Sequence, residues 1–381
     1  MKVTLIKNRS LLFLQYFEMK KMLEERQKRL KELMGSVGSD GLILFPGVDL
    51  FYATGLMAHA SERLTCVILQ KDSDPIFICP SFEKSRIKKG VQFGTIQTWE
   101  EDEDPFKLLG KIATDLNLEN KQISLDNKLW FDWFLRIQKN LPKANFVNAT
   151  NVVQAARIIK AEGEIKLMQE ATKIASDAII KTFEQVTPGM TETDVSKLIS
   201  EELSKYGRPA FGLVQSGPNS ALPHGSPTGR TIEKNDVLLI DAGPWYKGYM
   251  GDITITSVIG EPSEKFKKVY DLVYRSNRAA FEASKEGVKC EDVDIAAREV
   301  ITKGGFGKYF THRLGHGIGM EGHEAPYMVN GNKLLLKEGM CHTIEPGIYI
   351  EGEFGVRIED DVVARKDGCE FLYEVPRFLW K

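Results

Sequence analysis

The segment from Val237 to Thr256, VLLIDAGPWYKGYMGDITIT, decides how this chain is read. Val237–Leu238–Leu239–Ile240 is an apolar strand that ends on an acid, Asp241. Eleven residues later Asp252 opens Ile253–Thr254–Ile255–Thr256, a β-branched strand. Gly243–Pro244 and Lys247–Gly248 between them are turn residues. With the turn at Tyr246–Lys247, Asp241 and Asp252 fall directly opposite each other, Cβ atoms ~4.5–5.5 Å apart. Like charges so placed repel, and a positive group between them would remove the repulsion.

The pattern recurs toward the C-terminus. Glu345 follows Thr343–Ile344, Glu359 follows Val356–Arg357–Ile358, and a turn at Glu351–Gly352–Glu353 sets the two glutamates opposite each other. One such acid reads as a solvated surface charge; four at the ends of apolar strands, paired twice, do not. Of six histidines, four lie between His312 and His342. His316 stands between Gly315 and Gly317, whose missing side chains let the backbone approach a ligand. His323 precedes Glu324–Ala325–Pro326, and the proline excludes a helical HExxH zinc motif. Four carboxylates and one imidazole are neutralised by two divalent cations, and so oxygen-rich a site suits Mn²⁺, Co²⁺, Fe²⁺ or Zn²⁺. Two such ions lower the pKa of a shared water from ~15.7 to about 7, which provides hydroxide at neutral pH for amide hydrolysis.

Five segments carry a family resemblance: Ile240–Asp241–Ala242–Gly243, Gly251–Asp252–Ile253–Thr254, Gly315–His316–Gly317–Ile318–Gly319, Thr343–Ile344–Glu345–Pro346–Gly347 and Val356–Arg357–Ile358–Glu359–Asp360. In this order they resemble the pita-bread metallopeptidases, nearest to the Xaa-Pro aminopeptidase and Xaa-Pro dipeptidase (prolidase) group. The match runs from about Arg157 to Pro376. The resemblance implies that Asp241 and Asp252 chelate one metal and that Asp252, His316, Glu345 and Glu359 hold the other, with Asp252 and Glu359 bridging. It further implies that His224, in Leu222–Pro223–His224–Gly225, and His323 position substrate and stabilise the tetrahedral intermediate. Arg357 would hold the acids or the substrate in place, and Glu345 would shuttle the proton. Substrates are expected to be small peptides with proline after the first residue. Relatives are commonly homodimers, often through the N-terminal domain, so a homodimer is expected.

Two positions depart from the family. Many relatives have an apolar residue at His342, which by alternation points away from Glu345 and reads as packing. Tyr327 stands where some dipeptidases have an arginine thought to meet the substrate carboxylate, which leaves longer Xaa-Pro peptides open. The alternatives are a methionine aminopeptidase, which does not usually carry so large an N-terminal domain, a catalytically inactive binding protein, and a metal-independent amidinohydrolase. The last two would have lost ligands, and none is lost here.

Outward from this region, Ile165, Met168, Ala171, Ala175 and Ile179 fit one amphipathic helix beginning at Glu162, and a second helix is expected over Asp194–Tyr206. The polar stretch Asn148–Ala149–Thr150–Asn151 marks a boundary. The expected architecture is α+β: an extension at 1–18, a mixed α/β creatinase-like domain at 19–155, and a pita-bread domain at 156–381, a curved antiparallel sheet flanked by helices. In the first half, Met19–Met34 is helical, Gly41–Phe45 is a buried strand, and Thr65–Gln70 with Pro75–Pro80 form a hairpin. No chemical motif appears there, and Trp99, Trp130 and Trp133 read as core. Lys2, Lys7 and Arg9 precede an apolar run too short for a signal peptide, with no small-residue cleavage site. The 51 basic and 53 acidic residues of the 381 leave a net charge of -2, no footprint for nucleic acid or an anionic membrane. No run of ~18 apolar residues offers a bilayer span. Five scattered cysteines without a CxxC pair read as reduced thiols of a cytoplasmic protein.

Overall fold

A computed structural model of the protein describes residues 20–91 and 93–377; the extension read over 1–18 lies outside them. The chain forms two compact units that divide between Arg157 and Ile158. Among the described residues no helix is long and apolar enough to cross a membrane, and all five cysteines are free.

The N-terminal unit opens with a helix over 20–36 that buries Leu23, Leu30 and Met34. Six strands follow: β1 (Gly41–Leu44), β2 (Cys66–Gln70), β3 (Ile76–Pro80), β4 (Thr95–Trp99), β5 (Gln122–Leu125) and β6 (Asn145–Asn148). They form one mixed sheet in the order β4-β3-β2-β1-β5-β6. β1 is buried along its whole length, as its unbroken apolar run requires of a strand covered on both faces. Trp99 and Trp133 are core residues, but Trp130 is 47% exposed. It stands at the N-cap of the helix Phe131–Asn140 and only its inner side meets Trp133, ring centroids 5.0 Å apart.

The C-terminal unit begins on the helix Glu162–Gln185, whose Ile165, Met168, Ala171, Ala175 and Ile179 are all buried. The next helix spans Glu192–Ser204, two residues ahead of expectation at each end. Thr191 is its N-cap: its hydroxyl accepts from Asp194 N (3.1 Å) and the Asp194 carboxylate accepts from Thr191 N (3.1 Å). Asp194 is thus the third residue of a capping box rather than the helix start. Four strands, β7 (Arg208–Ser216), β8 (Val237–Tyr246), β9 (Tyr249–Met250) and β10 (Ile253–Val258), make a sheet ordered β10-β8-β7, with β9 paired to β8. A second sheet, ordered β12-β11-β13-β16-β17, comprises β11 (Gly315–Gly317), β12 (Glu324–Met328), β13 (Cys341–Ile344), β16 (Asp360–Ala364) and β17 (Cys369–Phe371); β14 (Gly347–Ile350) and β15 (Phe354–Arg357) form their own hairpin. Every pairing among these strands is antiparallel. The helices Glu264–Ala283 and Cys290–Lys303 cover them through Val269, Val273, Val293 and Ala297, in one core with Ile344, Ile348, Val356 and Val362.

The first acidic hairpin turns one residue later than its sequence suggests. Lys247 and Gly248 both have positive φ, 47° and 95°, the conformation of a tight two-residue hairpin turn. Trp245 pairs with Met250 and Tyr246 with Tyr249, so Asp241 lies opposite Thr254 and not opposite Asp252. Moving a turn by one residue shifts the pairing by two. Side chains alternate with period two, so both aspartates remain on one face, now as diagonal neighbours. The second hairpin has the expected register: Gly347 pairs with Arg357 and Ile350 with Phe354, while beyond them Ile344 pairs with Asp360. Glu345 and Glu359 occupy the short break between these two ladders.

Candidate active site

All eight residues singled out from the sequence (Asp241, Asp252, His316, Glu345, Glu359, His224, His323 and Arg357) line one pocket of about 430 Å³. The acids come from β8, from the entry to β10 and from the break beside β13 and β16. Backbone bonds within that break fix it: Glu345 N donates to Leu314 O (2.9 Å) and Glu359 N to Thr254 O (3.3 Å). Threonines on β10 tie the two halves together. Thr254 Oγ1 donates to Glu359 Oε2 (2.6 Å) and Thr256 Oγ1 to Arg357 O (2.7 Å). Asp252 N donates to Asp361 Oδ2 (2.9 Å).

The glycines around His316 are required by strand packing. A Cβ on Gly315 would lie 2.1 Å from Thr343 O, and one on Gly317 would lie 2.2 Å from Ala325 O. The neighbouring strands close on His316 from both sides because neither glycine has a side chain.

The protonation states follow from the hydrogen bonds. His316 Nδ1 meets the carbonyl of Gly317 at 3.1 Å, which can only accept, so this nitrogen carries the proton. Burial, with the nearby His323, pushes its pKa down to about 3, and Nε2 presents a bare lone pair. That lone pair faces Glu345 Oε1 at 3.3 Å and Asp252 Oδ2 at 3.8 Å. Nε2 and the carboxyl oxygens all bear lone pairs, so a proton or a cation must lie between them. Burial, then the charges of Glu359 and Asp241, raises the Asp252 carboxyl well above the usual range. Burial, then Glu345 and Asp241, does the same to Glu359. Glu345 is pushed up to about 8 by burial and Asp241, against the pull of Arg357. Asp241 Oδ1 is buried without a hydrogen-bond partner, which is costly unless a cation meets it. Asp252, His316 and Glu359 each offer a ligand atom within 4.8 Å of the others. The donor set fits divalent metal.

Arg357 fills the space behind Asp241. Its Nη2 donates to Asp241 Oδ2 (2.6 Å), Nε to Thr254 Oγ1 (2.9 Å), and Nη1 to Tyr349 Oη (3.1 Å) and Pro223 O (3.2 Å). Two further members escaped the reading of the sequence. Tyr349 Oη lies 2.9 Å from His312 Nε2, while His312 Nδ1 lies 2.7 Å from Arg313 O. The carbonyl fixes the proton on Nδ1, so the tyrosine hydroxyl donates to Nε2 and accepts from Arg357. Tyr349 lies on β14, on the same face as Gly347. His312 belongs to the histidine cluster but lies outside any strand, where periodicity assigns no direction.

His224 and His323 are exposed at the mouth. The His323 ring lies 3.9 Å from that of His316, and its Nδ1 lies 3.3 Å from Arg313 Nη2. A guanidinium only donates, so His323 Nδ1 accepts and the proton sits on Nε2. Arg313 rests on the Tyr327 ring, 4.6 Å from its centroid. His342 is fully buried behind the site, with Nε2 3.1 Å from Ser284 Oγ; it packs, as its alternation predicts.

Comparison with known proteins agrees with this geometry. Residues 166–366 match metallopeptidase family M24, and residues 26–159 match the creatinase/prolidase N-terminal domain. An Xaa-Pro dipeptidase from Lactobacillus helveticus is 34% identical over 346 residues, 89% of this chain and 94% of that protein. The crystal structure of a prolidase from Thermococcus sibiricus superimposes with a TM-score of 0.88 at 34% identity, covering 94% of this chain and 98% of that one. An X-Pro aminopeptidase structure from Thermotoga maritima gives 0.84 at 33% identity, covering 93% and 99%. With this fold, these five segments in order and that extent of identity, the chain belongs to metallopeptidase family M24.

Proposed function

We propose that this metallopeptidase hydrolyses the Xaa-Pro bond of dipeptides with two divalent ions held by Asp241, Asp252, His316, Glu345 and Glu359. The observation that carries the reading is a cluster of four carboxylates around one neutral imidazole, with two histidines at the mouth of the same pocket. Two bound cations would supply Lewis acidity for the scissile carbonyl and for the attacking water. The chain's own residues do the rest. Glu345, at the pocket wall, takes a proton from the water and returns it to the proline nitrogen. That nitrogen carries no hydrogen in the peptide and must gain one to leave as an amine. His323 Nε2–H and His224 hold the substrate and donate to the developing oxyanion. Arg357 keeps Asp241 turned inward.

Dipeptides are favoured over longer peptides by Arg313. Its guanidinium lines the pocket and makes no ion pair with a carboxylate among the described residues; a free proline carboxylate would supply one. Tyr327 supports that guanidinium from below, so an arginine at 327 is not needed. The relatives named above include an aminopeptidase, which keeps Xaa-Pro-Yaa peptides as the second reading. The creatinase/prolidase N-terminal domain speaks against a methionine aminopeptidase. A homodimer and a cytoplasmic location belong to the same proposal. The deciding experiment compares kcat/KM for Leu-Pro, Leu-Pro extended by two residues, and Leu-Ala in Mn²⁺ or Co²⁺. Leu-Pro should lead. Preference for the extended peptide would make the enzyme an aminopeptidase, and preference for Leu-Ala would defeat the proline reading.

A further inference from the structure

Glu192 is a fully buried carboxylate of the C-terminal unit that lies away from the acid cluster. It is 0% exposed and sits in the first turn of the helix Glu192–Ser204. Its Oε1 accepts from Ser216 N (2.7 Å), Ser216 Oγ (2.9 Å) and Asn219 Nδ2 (3.0 Å). Its Oε2 accepts from Thr228 N (2.9 Å), Thr228 Oγ1 (2.6 Å) and again Asn219 Nδ2 (3.2 Å). The two oxygens therefore clasp the two ends of one loop. Ser216 is the last residue of β7, Thr228 is twelve residues on, and His224 lies between the anchors at Asn219 and Thr228.

We propose that Glu192 is the positioning residue of His224: it sets the span of the loop that carries this histidine to the pocket. The loop also closes against β15, where Gly355 N donates to Ser220 Oγ (2.9 Å) and Arg357 Nη1 donates to Pro223 O (3.2 Å). The helix behind Glu192 is anchored in the core through Val195, Ile199 and Leu203, so the clasp refers the loop to a rigid element. The charge is what the site demands. Burial disfavours a carboxylate, yet the bonds from Thr228 and Ser216 outweigh it and hold the group below the usual glutamate range; the helix N-terminus adds to the same sign. A glutamine in its place keeps one acceptor and turns an NH₂ toward donors, so one end of the loop is released.

This inference rests on the role given to His224, and the test separates the two. Steady-state kinetics on Leu-Pro are measured for wild type, Glu192→Gln, His224→Ala and the double variant, with metal content determined for each. The expected result is a fall of about 10–100-fold in kcat/KM for Glu192→Gln at full metal occupancy, as a displacement near 1 Å gives. In the His224→Ala background the same change should cost less than about twofold, because the histidine it positions is gone. Should Glu192→Gln not fold, Thr228→Val and Asn219→Ala remove donors from the loop side and should show the same non-additivity at about 3–10-fold. Glu192→Asp, which keeps the charge, should recover part of the loss. An impaired His224→Ala with equal, additive effects of Glu192→Gln in both backgrounds would make Glu192 merely structural and overturn the inference alone. A His224→Ala enzyme of wild-type activity would overturn the role of His224 and this inference with it.

Discussion

The guanidinium of Arg357 on β15 donates to Asp241 on β8 at 2.6 Å, joining across the sheets the two halves of the acid cluster. It also holds the Tyr349 hydroxyl and the Pro223 carbonyl. With Thr254 Oγ1 on Nε it has four partners, and a lysine, with one compact ammonium, cannot meet them all in a plane. Arg357→Lys should lower turnover at least about 10²-fold and weaken metal binding. Arg357→Ala leaves the half-buried Asp241 carboxylate without its partner and should cost about 1–3 kcal/mol of stability. Thermal melting with elemental analysis checks both. A lysine variant with wild-type metal content and turnover would remove Arg357 from the site.

Metal removal should destabilise the protein, because Asp252, Glu345 and Glu359 are buried beside one another. At a metal concentration 100 times Kd the ions contribute about 2.7 kcal/mol per site, which a chain of this size shows as a Tm shift of roughly 5–10 °C. Chelator should lower Tm by that much and Mn²⁺ should restore it. Glu359→Gln, lacking a charge proposed to bridge both ions, should bind fewer than two metals and show little hydrolysis. Equal melting with and without chelator would count against a metal centre.

Tyr349→Phe isolates one hydroxyl. It removes the donor to His312 Nε2 and an acceptor of Arg357, leaving a half-buried imidazole lone pair unsatisfied. The cost should be about 1–3 kcal/mol in stability, with metal retained. Turnover should fall about tenfold as Arg357 loosens its hold on Asp241. If urea denaturation gave wild-type stability, the reading of this chain of bonds would be wrong.

The acids were legible because strand chemistry is local. Apolar runs end on Asp241, Glu345 and Glu359, a β-branched run begins after Asp252, and alternation assigns their faces. The turn at Lys247–Gly248 was misplaced by one residue, since Gly243–Pro244 and Lys247–Gly248 are both turn chemistry and only the paired strands choose between them. The error left the facing acids on one side, which is why the site survived it. Trp130 was misread because an aromatic at a helix N-cap has one wet side whatever its size. Glu192 and His312 could not be found locally. Their partners lie between 24 and 37 positions away in sequence or in irregular backbone, where no periodicity reports direction.

His323 offers the sharpest separation of binding from chemistry. Arg313 donates to its Nδ1, and burial with the charge of Arg313 holds its pKa below the ordinary histidine value. The ring is therefore neutral at pH 7 and carries its proton on Nε2, a donor at the pocket mouth. It is no metal ligand in this reading, although its ring lies 3.9 Å from that of His316. His323→Ala should keep both metals and the fold while turnover falls roughly 10²–10³-fold, the usual loss of one oxyanion donor. His323→Gln, whose amide can still present an N–H, should recover part of it. KM should move less than kcat, since the bond strengthens as the oxyanion forms. Loss of metal in His323→Ala would make the residue a ligand, and turnover within twofold of wild type would make it a bystander.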